Sequence, residues 1–168
     1  MAVNRGKQFE NVIRKSFERV EGVSIDRLND NTAGFKGVAG ICDFIVYKEP
    51  YEYYIECKSV HGASLPFSNI TDKQWQGMLE KSQIEGVFAG VICWWIDKDV
   101  TKFIPIRDLV IAKKCGYKSI RYDTECYIEH PMDELGYKAF SIEIKGKKKR
   151  VFFDYDMEEF LNEIQHNR

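Results

Sequence analysis

The amino-acid sequence predicts an α/β fold, a single domain over residues 1–168 in which a mixed central sheet is flanked by helices. Its 168 residues, of which 44% are hydrophobic and 30% charged, have the composition of one globular domain. Segments with the apolar spacing of a helix alternate along the chain with segments typical of strands. The longest apolar run, 87–96, is suited to one buried strand and too short to span a membrane, so no membrane association is expected.

The N-terminal part of the chain predicts a helix, a short strand and a turn-rich segment. Apolar residues recur at helical spacing from Phe9 onwards, which predicts a helix over 6–20. A short strand is expected at 23–25. The segment 29–40 then combines polar turn formers with glycines and is predicted to be irregular.

Two neighbouring strands follow, at 41–47 and 51–59, joined by a turn that contains proline. Alternate side chains of a strand share a face of the sheet. Glu56 and Lys58 are therefore expected on one face of the second strand, and Asp43 is expected to project from the first.

The remainder of the chain continues the alternation of helices and strands. A loop at 61–69 precedes a helix at 72–83, and Thr71 followed by Gln74 predicts a capping box at its start. The other predicted elements are a buried strand at 87–96, a strand at 102–106, a helix at 107–114, a hairpin of strands at 141–144 and 151–154, and a helix at 157–166.

Charge and cysteine usage restrict the functional classes. Lys and Arg number 25 against 26 Asp and Glu, so a nucleic-acid-binding surface requires a local cluster of cations rather than an overall excess. Five cysteines, with no CxxC pair, argue against a disulfide framework. With the polar segment 4–8 near the N-terminus, they predict a cytoplasmic protein without a signal peptide.

The most informative pattern is Asp43 followed, after twelve intervening residues, by Glu56-Cys57-Lys58. Two carboxylates on adjacent strands are suited to Mg²⁺, which is commonly held by one or two carboxylates together with water and substrate phosphate. A lysine on the same face can orient the attacking water or stabilise charge in phosphodiester hydrolysis. The alternative is a solvated sheet face on which Glu56 and Lys58 balance each other's charge.

Further blocks accompany this pattern in order along residues 4–122. They are Asn4-Arg5-Gly6 with Phe9-Glu10, Cys42-Asp43-Phe44, Ile55-Glu56-Cys57-Lys58, Ser64-Leu65-Pro66-Phe67 with Asn69-Ile70, and Gln74 with Met78. Together they resemble the PD-(D/E)XK nuclease superfamily, and more closely its RecU-type Holliday junction resolvases in a compact, phage-like version. The resemblance implies a restriction-endonuclease-like fold and a homodimer that acts on four-way DNA junctions.

The resemblance also implies a metal site. Asp43, Glu56 and the carbonyl of Cys57 would ligate Mg²⁺ or Mn²⁺, and Lys58 would act on the water. Gln74 and Glu10 would complete the catalytic site. Two alternatives stay open, because Glu10 also suits an ordinary acid near a helix N-terminus and Gln74 also suits a capping box.

Several residues are candidates for DNA contact. They are Arg5 and Lys7 in the first helix, Ser64 in the loop that resembles the family's active-site loop, Arg27 and Lys36 around the turn-rich segment, and Lys147, Lys148, Lys149 and Arg150 in the basic tip of the predicted hairpin. A solvated turn is the alternative for the tip.

The predicted function is a Mg²⁺-dependent, structure-selective DNA endonuclease, a Holliday junction resolvase that makes symmetric nicks. The segment 26–40 is short where RecU-type enzymes carry an inserted stalk, and cysteine precedes Asp43 where the family name has proline. Two alternatives therefore stay open. One is a nuclease of the same fold that acts on duplex DNA, flaps or ends. The other is a non-catalytic DNA-binding protein accessory to recombination.

Overall fold

A computed structural model describes residues 5–28, 40–124, 127–128, 137–138 and 141–166. Its helices are α1 (Arg5–Phe17), α2 (Asp72–Lys81), α3 (Ile106–Lys114) and α4 (Met157–His166). Its strands are β1 (Val23–Arg27), β2 (Phe44–Lys48), β3 (Tyr51–Val60), β4 (Ser64–Pro66), β5 (Val87–Trp95), β6 (Val100–Pro105), β7 (Ser119–Arg121), β8 (Tyr127–Ile128), β9 (Tyr137–Lys138), β10 (Ile142–Glu143), β11 (Gly146–Lys148) and β12 (Phe153–Tyr155).

The centre of the fold is a six-stranded mixed sheet in the order β1-β2-β3-β5-β6-β10. The β3 and β5 strands are parallel, and their register places Glu56 opposite Val91. The other neighbouring pairs are antiparallel. Both central strands are largely buried, as expected for strands covered on two faces. The predicted mixed α/β sheet flanked by helices is confirmed.

Helices cover both faces of this sheet and create two hydrophobic cores. On one face, α1 and α4 bury side chains such as Phe9, Phe17 and Phe160 against the sheet. On the other face, α2 and α3 bury side chains such as Met78 and Leu109. The alternation of side chains along β3 determines which core each residue faces, and it directs Tyr54, Glu56 and Lys58 to the side of α2.

The helix α2 begins with the predicted capping box. The N–H of Gln74 donates to Oγ1 of Thr71 at 3.3 Å, and the N–H of Thr71 donates to Oε1 of Gln74 at 3.0 Å. These bonds satisfy two backbone donors that a helix start leaves without partners. Among the residues with described structure, no helix is long and apolar enough to cross a membrane.

The structure corrects two of the element predictions near the N-terminus. The first helix ends at Phe17 rather than at residue 20, although Val20 is still buried under it. The strand expected over 41–47 begins only at Phe44. Ile41 and Cys42 leave the sheet and pack into the core below α2. The turn-rich segment expected at 29–40 lies outside the described residues except for Gly40.

The predicted hairpin between 141–144 and 151–154 is wrong. Ile142 and Glu143 pair instead with Phe103 and Lys102 at the edge of the central sheet. Burial explains this pairing, because Ile142 is 1% exposed in the core under α1 and α4. The hairpin that forms joins β11 to β12, so Lys147 and Lys148 lie in a strand, and only Lys149 and Arg150 of the predicted basic tip lie in the turn.

We predict that Gly77→Ala destabilises the protein by about 1–3 kcal/mol, although alanine is the better helix former by about 1 kcal/mol. A Cβ at Gly77 would lie 2.4 Å from Cγ2 of Ile41, the buried residue that packs α2 against the segment before Asp43. The measurement is the free energy of unfolding in urea. Gln76→Ala, at an exposed neighbouring position, is the control and should change stability by less than about 0.5 kcal/mol. A more stable Gly77→Ala protein would contradict this packing.

Candidate active site

Asp43 and Glu56 lie close together at the start of β2. The ladder between β2 and β3 ends with Phe44 opposite Ile55. One residue earlier the register shifts as at a β-bulge, since the N–H of Asp43 also donates to the carbonyl of Ile55, at 3.1 Å, while its own carbonyl accepts the N–H of Leu28 at 2.9 Å. The two side chains are close enough for the charge of Glu56 to raise the pKa of Asp43. The twelve-residue spacing in the sequence thus becomes a pair of adjacent carboxylates.

A backbone amide of β3 orients the Asp43 side chain. Its Oδ2 accepts the N–H of Cys57 at 2.7 Å. The N–H and the carbonyl of a strand residue point to the same edge of the strand. The carbonyl of Cys57 therefore lies on the edge that Asp43 occupies, as a metal ligand at this position would require.

Glu56 is buried and forms an ion pair with one of its two oxygens. Its side chain is 3% exposed, and Oε1 lies 2.6 Å from Nζ of Lys58, two residues along the same face. The other oxygen, Oε2, is buried and has no hydrogen-bond partner in the described part of the chain. A buried carboxylate oxygen without a partner is costly. A ligand that supplies positive charge at this point would remove that cost.

Burial raises the pKa of both carboxyl groups, and the charge of Glu56 adds to the rise at Asp43. The pKa of Asp43 rises to about 7, first because of burial and then because of the charge of Glu56, while the N–H of Cys57 opposes the rise. The pKa of Glu56 is also raised by burial, against the opposing effects of Lys58 and of the side-chain amide of Gln74. One lysine therefore does not fully compensate the two acids.

Gln74 takes part in both of the roles that the sequence left open. Its Oε1 and backbone N–H form the capping box with Thr71. Its amide also acts on Glu56 as a polar neighbour that lowers the pKa of the carboxyl. The start of α2 is thereby connected to the candidate site.

Glu10 lies in the second turn of α1. The favourable interaction of acids in the first turn with a helix N-terminus therefore does not explain why an acid is present at this position. Its charge raises the pKa of Asp43 and of Glu56, which places it beside the pair. Its Oε2 lies 2.5 Å from Nη2 of Arg27, at the end of β1. Arg27, a candidate for phosphate contact, pairs with Glu10 instead, and no pattern in the sequence predicts that contact.

The arrangement fits a divalent cation with few protein ligands. In the ranges that the structure describes, no three His, Cys, Asp or Glu side chains are grouped to hold a metal. Mg²⁺ does not need such a group, since one or two carboxylates with water and substrate oxygens are its usual protein environment. The unpartnered Oε2 of Glu56, the adjacent Asp43 and the edge carbonyl of Cys57 provide this kind of oxygen-rich donor set.

The other sequence candidates lie apart from the carboxylates or outside the described residues. Ser64 is half-buried in β4, opposite Arg121 of β7. Arg5 and Lys7 are exposed at the start of α1. Lys36 lies outside the described residues.

The basic residues after β10 are largely engaged in ion pairs. Lys145 pairs with Glu159 at 2.7 Å, Lys148 pairs with Asp99, and Lys149 pairs with Asp154 at 3.2 Å. Lys147 and Arg150 are exposed and have no ion-pair partner among the residues described. DNA contact by this segment stays a prediction, with Lys147 and Arg150 as its uncompensated cations.

No protein-family model matches the chain, and no curated protein sequence matches it. Among solved structures, the chain is similar to Hjc, a Holliday junction resolvase from the archaeal hyperthermophile Archaeoglobus fulgidus, with a TM-score of 0.45 and 17% sequence identity. The similarity covers 61% of this chain and 78% of that chain. Function is therefore inferred from the arrangement of the side chains.

We predict that Asp43→Asn is more stable than the wild type at pH 8 in EDTA, by about 2–4 kcal/mol. Because the pKa of Asp43 is about 7 in the folded protein and 3.8 ordinarily, the folded state keeps a proton that the unfolded chain releases between these values. The stability of the wild type therefore falls as pH rises from about 4 to about 7, and asparagine abolishes this contribution while it still accepts the N–H of Cys57.

The measurement is urea unfolding of both proteins at pH 5 and pH 8. The control is Asp123→Asn, an exposed carboxyl whose pKa is lowered by Arg121, and this variant should not exceed the wild type in stability at pH 8. If Asp43→Asn is less stable than the wild type at pH 8, the ionised Asp43 carboxylate does not destabilise the folded protein.

Proposed function

We propose that this protein is a DNA endonuclease that depends on Mg²⁺ or Mn²⁺ and hydrolyses phosphodiester bonds, with selectivity for four-way junctions. The observation that carries the proposal is the pair Asp43 and Glu56, with one buried oxygen unpartnered and Lys58 beside it. Adjacent carboxylates and a lysine on one face are the groups that metal-assisted phosphodiester hydrolysis requires.

In this proposal each residue at the site has a distinct role. Asp43, Glu56 and the carbonyl of Cys57 would hold the metal ion, which when bound activates water and neutralises charge on the phosphate. Lys58 is only partly exposed and carries a positive charge beside Glu56, where it can orient the attacking water and stabilise the charge that develops on the phosphate oxygens. The products expected are a 5′-phosphate and a 3′-hydroxyl.

Two further residues position this group. Gln74 connects the capped start of α2 to Glu56 and so fixes the orientation of that carboxylate. Glu10 adds a third acid near the pair, and Arg27 holds it there. We propose both as residues of the catalytic site that act on the metal ion or on the water bound to it.

Junction selectivity and the homodimer belong to the same proposal and are supported by the sequence resemblance. A four-way junction has approximate twofold symmetry, and symmetric nicks require two sites related by a twofold axis. The short segment 26–40, where a resolvase of this type carries a stalk, favours the second candidate, a nuclease of duplex DNA, flaps or ends.

We predict that the wild type nicks a labelled four-way junction in Mg²⁺ and leaves a linear duplex of the same sequence intact. Asp43→Asn and Lys58→Ala should each reduce the cleavage rate by about 100-fold or more, because the first removes a metal ligand and the second removes the charge beside the reacting phosphate. Asp123→Asn, which changes an exposed acid, is the control and should cut at the wild-type rate.

Gel analysis of both strands separates the candidate functions. Paired nicks at symmetric positions of the junction support a resolvase. Equal cleavage of junction and duplex supports the second candidate and overturns junction selectivity. A wild type that cuts neither substrate in Mg²⁺ or Mn²⁺ would overturn the catalytic proposal and favour a DNA-binding protein.

A further inference from the structure

A groove of about 470 Å³ lies between α1 and the hairpin of β11 and β12. One wall is a face of α1 that includes Val12 and Lys15, continued by Arg19 just after the helix, and the other wall is the segment 149–154. We call it the cationic groove. It is separate from the carboxylates, since neither Asp43 nor Glu56 lines it.

Contacts across the cationic groove hold its two walls together. Asp154 pairs with Arg19, two residues after the end of α1, and, at 3.2 Å, with Lys149 of the hairpin. Below them, the ring of Phe152 packs on Trp94 of the central sheet, with a distance of 5.3 Å between ring centroids. The groove is therefore built into the folded chain.

Its charge distinguishes it from the groove on the other side of the same hairpin. The lining of the cationic groove carries four cations, Lys15, Arg19, Lys149 and Arg150, against one carboxylate, Asp154. The neighbouring groove is lined by three cations and four carboxylates: Arg19, Lys145, Lys147, Asp154, Asp156, Glu158 and Glu159. Positive charge is therefore concentrated on one side of the hairpin, in a chain whose net charge is only −1.

The position of the groove on α1 relates it to the candidate active site. At 3.6 residues per turn, Lys15 lies five residues after Glu10, about 140° around the helix, and so projects from a different flank. The helix diameter that separates the flanks, about 10–12 Å, is close to the width of about 12 Å of the major groove of DNA. A DNA strand beside the carboxylates and a strand beside the cationic groove would thus lie about one groove width apart.

We propose that the cationic groove binds the phosphate backbone of the DNA substrate on the strand across α1 from the carboxylates. Lys15 and Arg150 would make the phosphate contacts, because both are exposed and neither has an ion-pair partner in the part of the chain that is described. The exposed Val151 and half-buried Phe152 side chains beside them suit the apolar faces of deoxyribose. This inference rests on the proposed DNA nuclease function and specifies how its substrate is held.

The test compares Arg150→Ala with Lys147→Ala. Both residues are exposed cations of one hairpin with no ion-pair partner among the described residues, and both changes remove one charge, but Lys147 lines the neighbouring groove. Binding of a labelled four-way junction is measured by fluorescence anisotropy in EDTA over a series of KCl concentrations. Thermal unfolding of each variant confirms that the fold is retained.

We expect Arg150→Ala to weaken binding about 3–10-fold and to reduce the slope of log K against log [KCl] by about 0.9, the value for one phosphate contact. Lys147→Ala should change binding less than about twofold. Equal effects of the two substitutions, or no effect of Arg150→Ala, would overturn the proposal that the cationic groove binds DNA.

The failure of the groove and the failure of the proposed function give different results. A wild type that cuts junctions while Arg150→Ala binds as the wild type does overturns the groove alone. If the wild type cuts no DNA but its binding of DNA depends on Arg150, the proposed nuclease function is overturned and DNA binding by the cationic groove is supported. A wild type that does not bind DNA overturns both.

Discussion

The conflict between Asp43 and Glu56 is the constraint on which the rest of the site depends. Burial makes the ionisation of both carboxylates costly, and the charge of Glu56 raises the cost further for Asp43. The surrounding groups reduce this cost without removing it, since the N–H of Cys57 serves one oxygen of Asp43 and Lys58 serves one oxygen of Glu56. The two carboxylates therefore destabilise the folded chain, and a bound divalent cation would remove this destabilisation.

The architecture explains why the pair is stable enough to exist. The β3 strand is covered on both faces by separate cores, so the backbone that carries Glu56 is fixed by its neighbours β2 and β5. The ladder between β2 and β3 ends at Phe44 and Ile55, so the N–H of Cys57 bonds the side chain of Asp43 instead of a backbone carbonyl of β2. The capped start of α2 reaches the same point through Gln74. The site thus forms at the end of the backbone hydrogen bonding between β2 and β3, next to the start of α2.

Much of this could be predicted from local patterns. The short turn between β2 and β3 determines the register of that hairpin, and the capping box at Thr71 determines where α2 begins, because both depend on residues close in sequence. Pairings between distant segments were not predictable in this way. Ile142 joins the edge of the central sheet because a core formed by α1 and α4 accommodates it, and Arg27 meets Glu10 because β1 packs beside α1. No periodic pattern of apolar or charged residues in the sequence indicates either contact.

Metal binding to the wild type and to Glu56→Gln, measured by isothermal titration calorimetry with Mn²⁺, tests the central claim most directly. If the two carboxylates form a metal site, the wild type binds one ion per chain near pH 6.5. Because the pKa of Asp43 is about 7, binding at that pH releases protons, which is detected as a dependence of the heat on the ionisation enthalpy of the buffer. Glu56→Gln should lose this binding. Equal binding by the two proteins, or no binding by the wild type, would contradict the account.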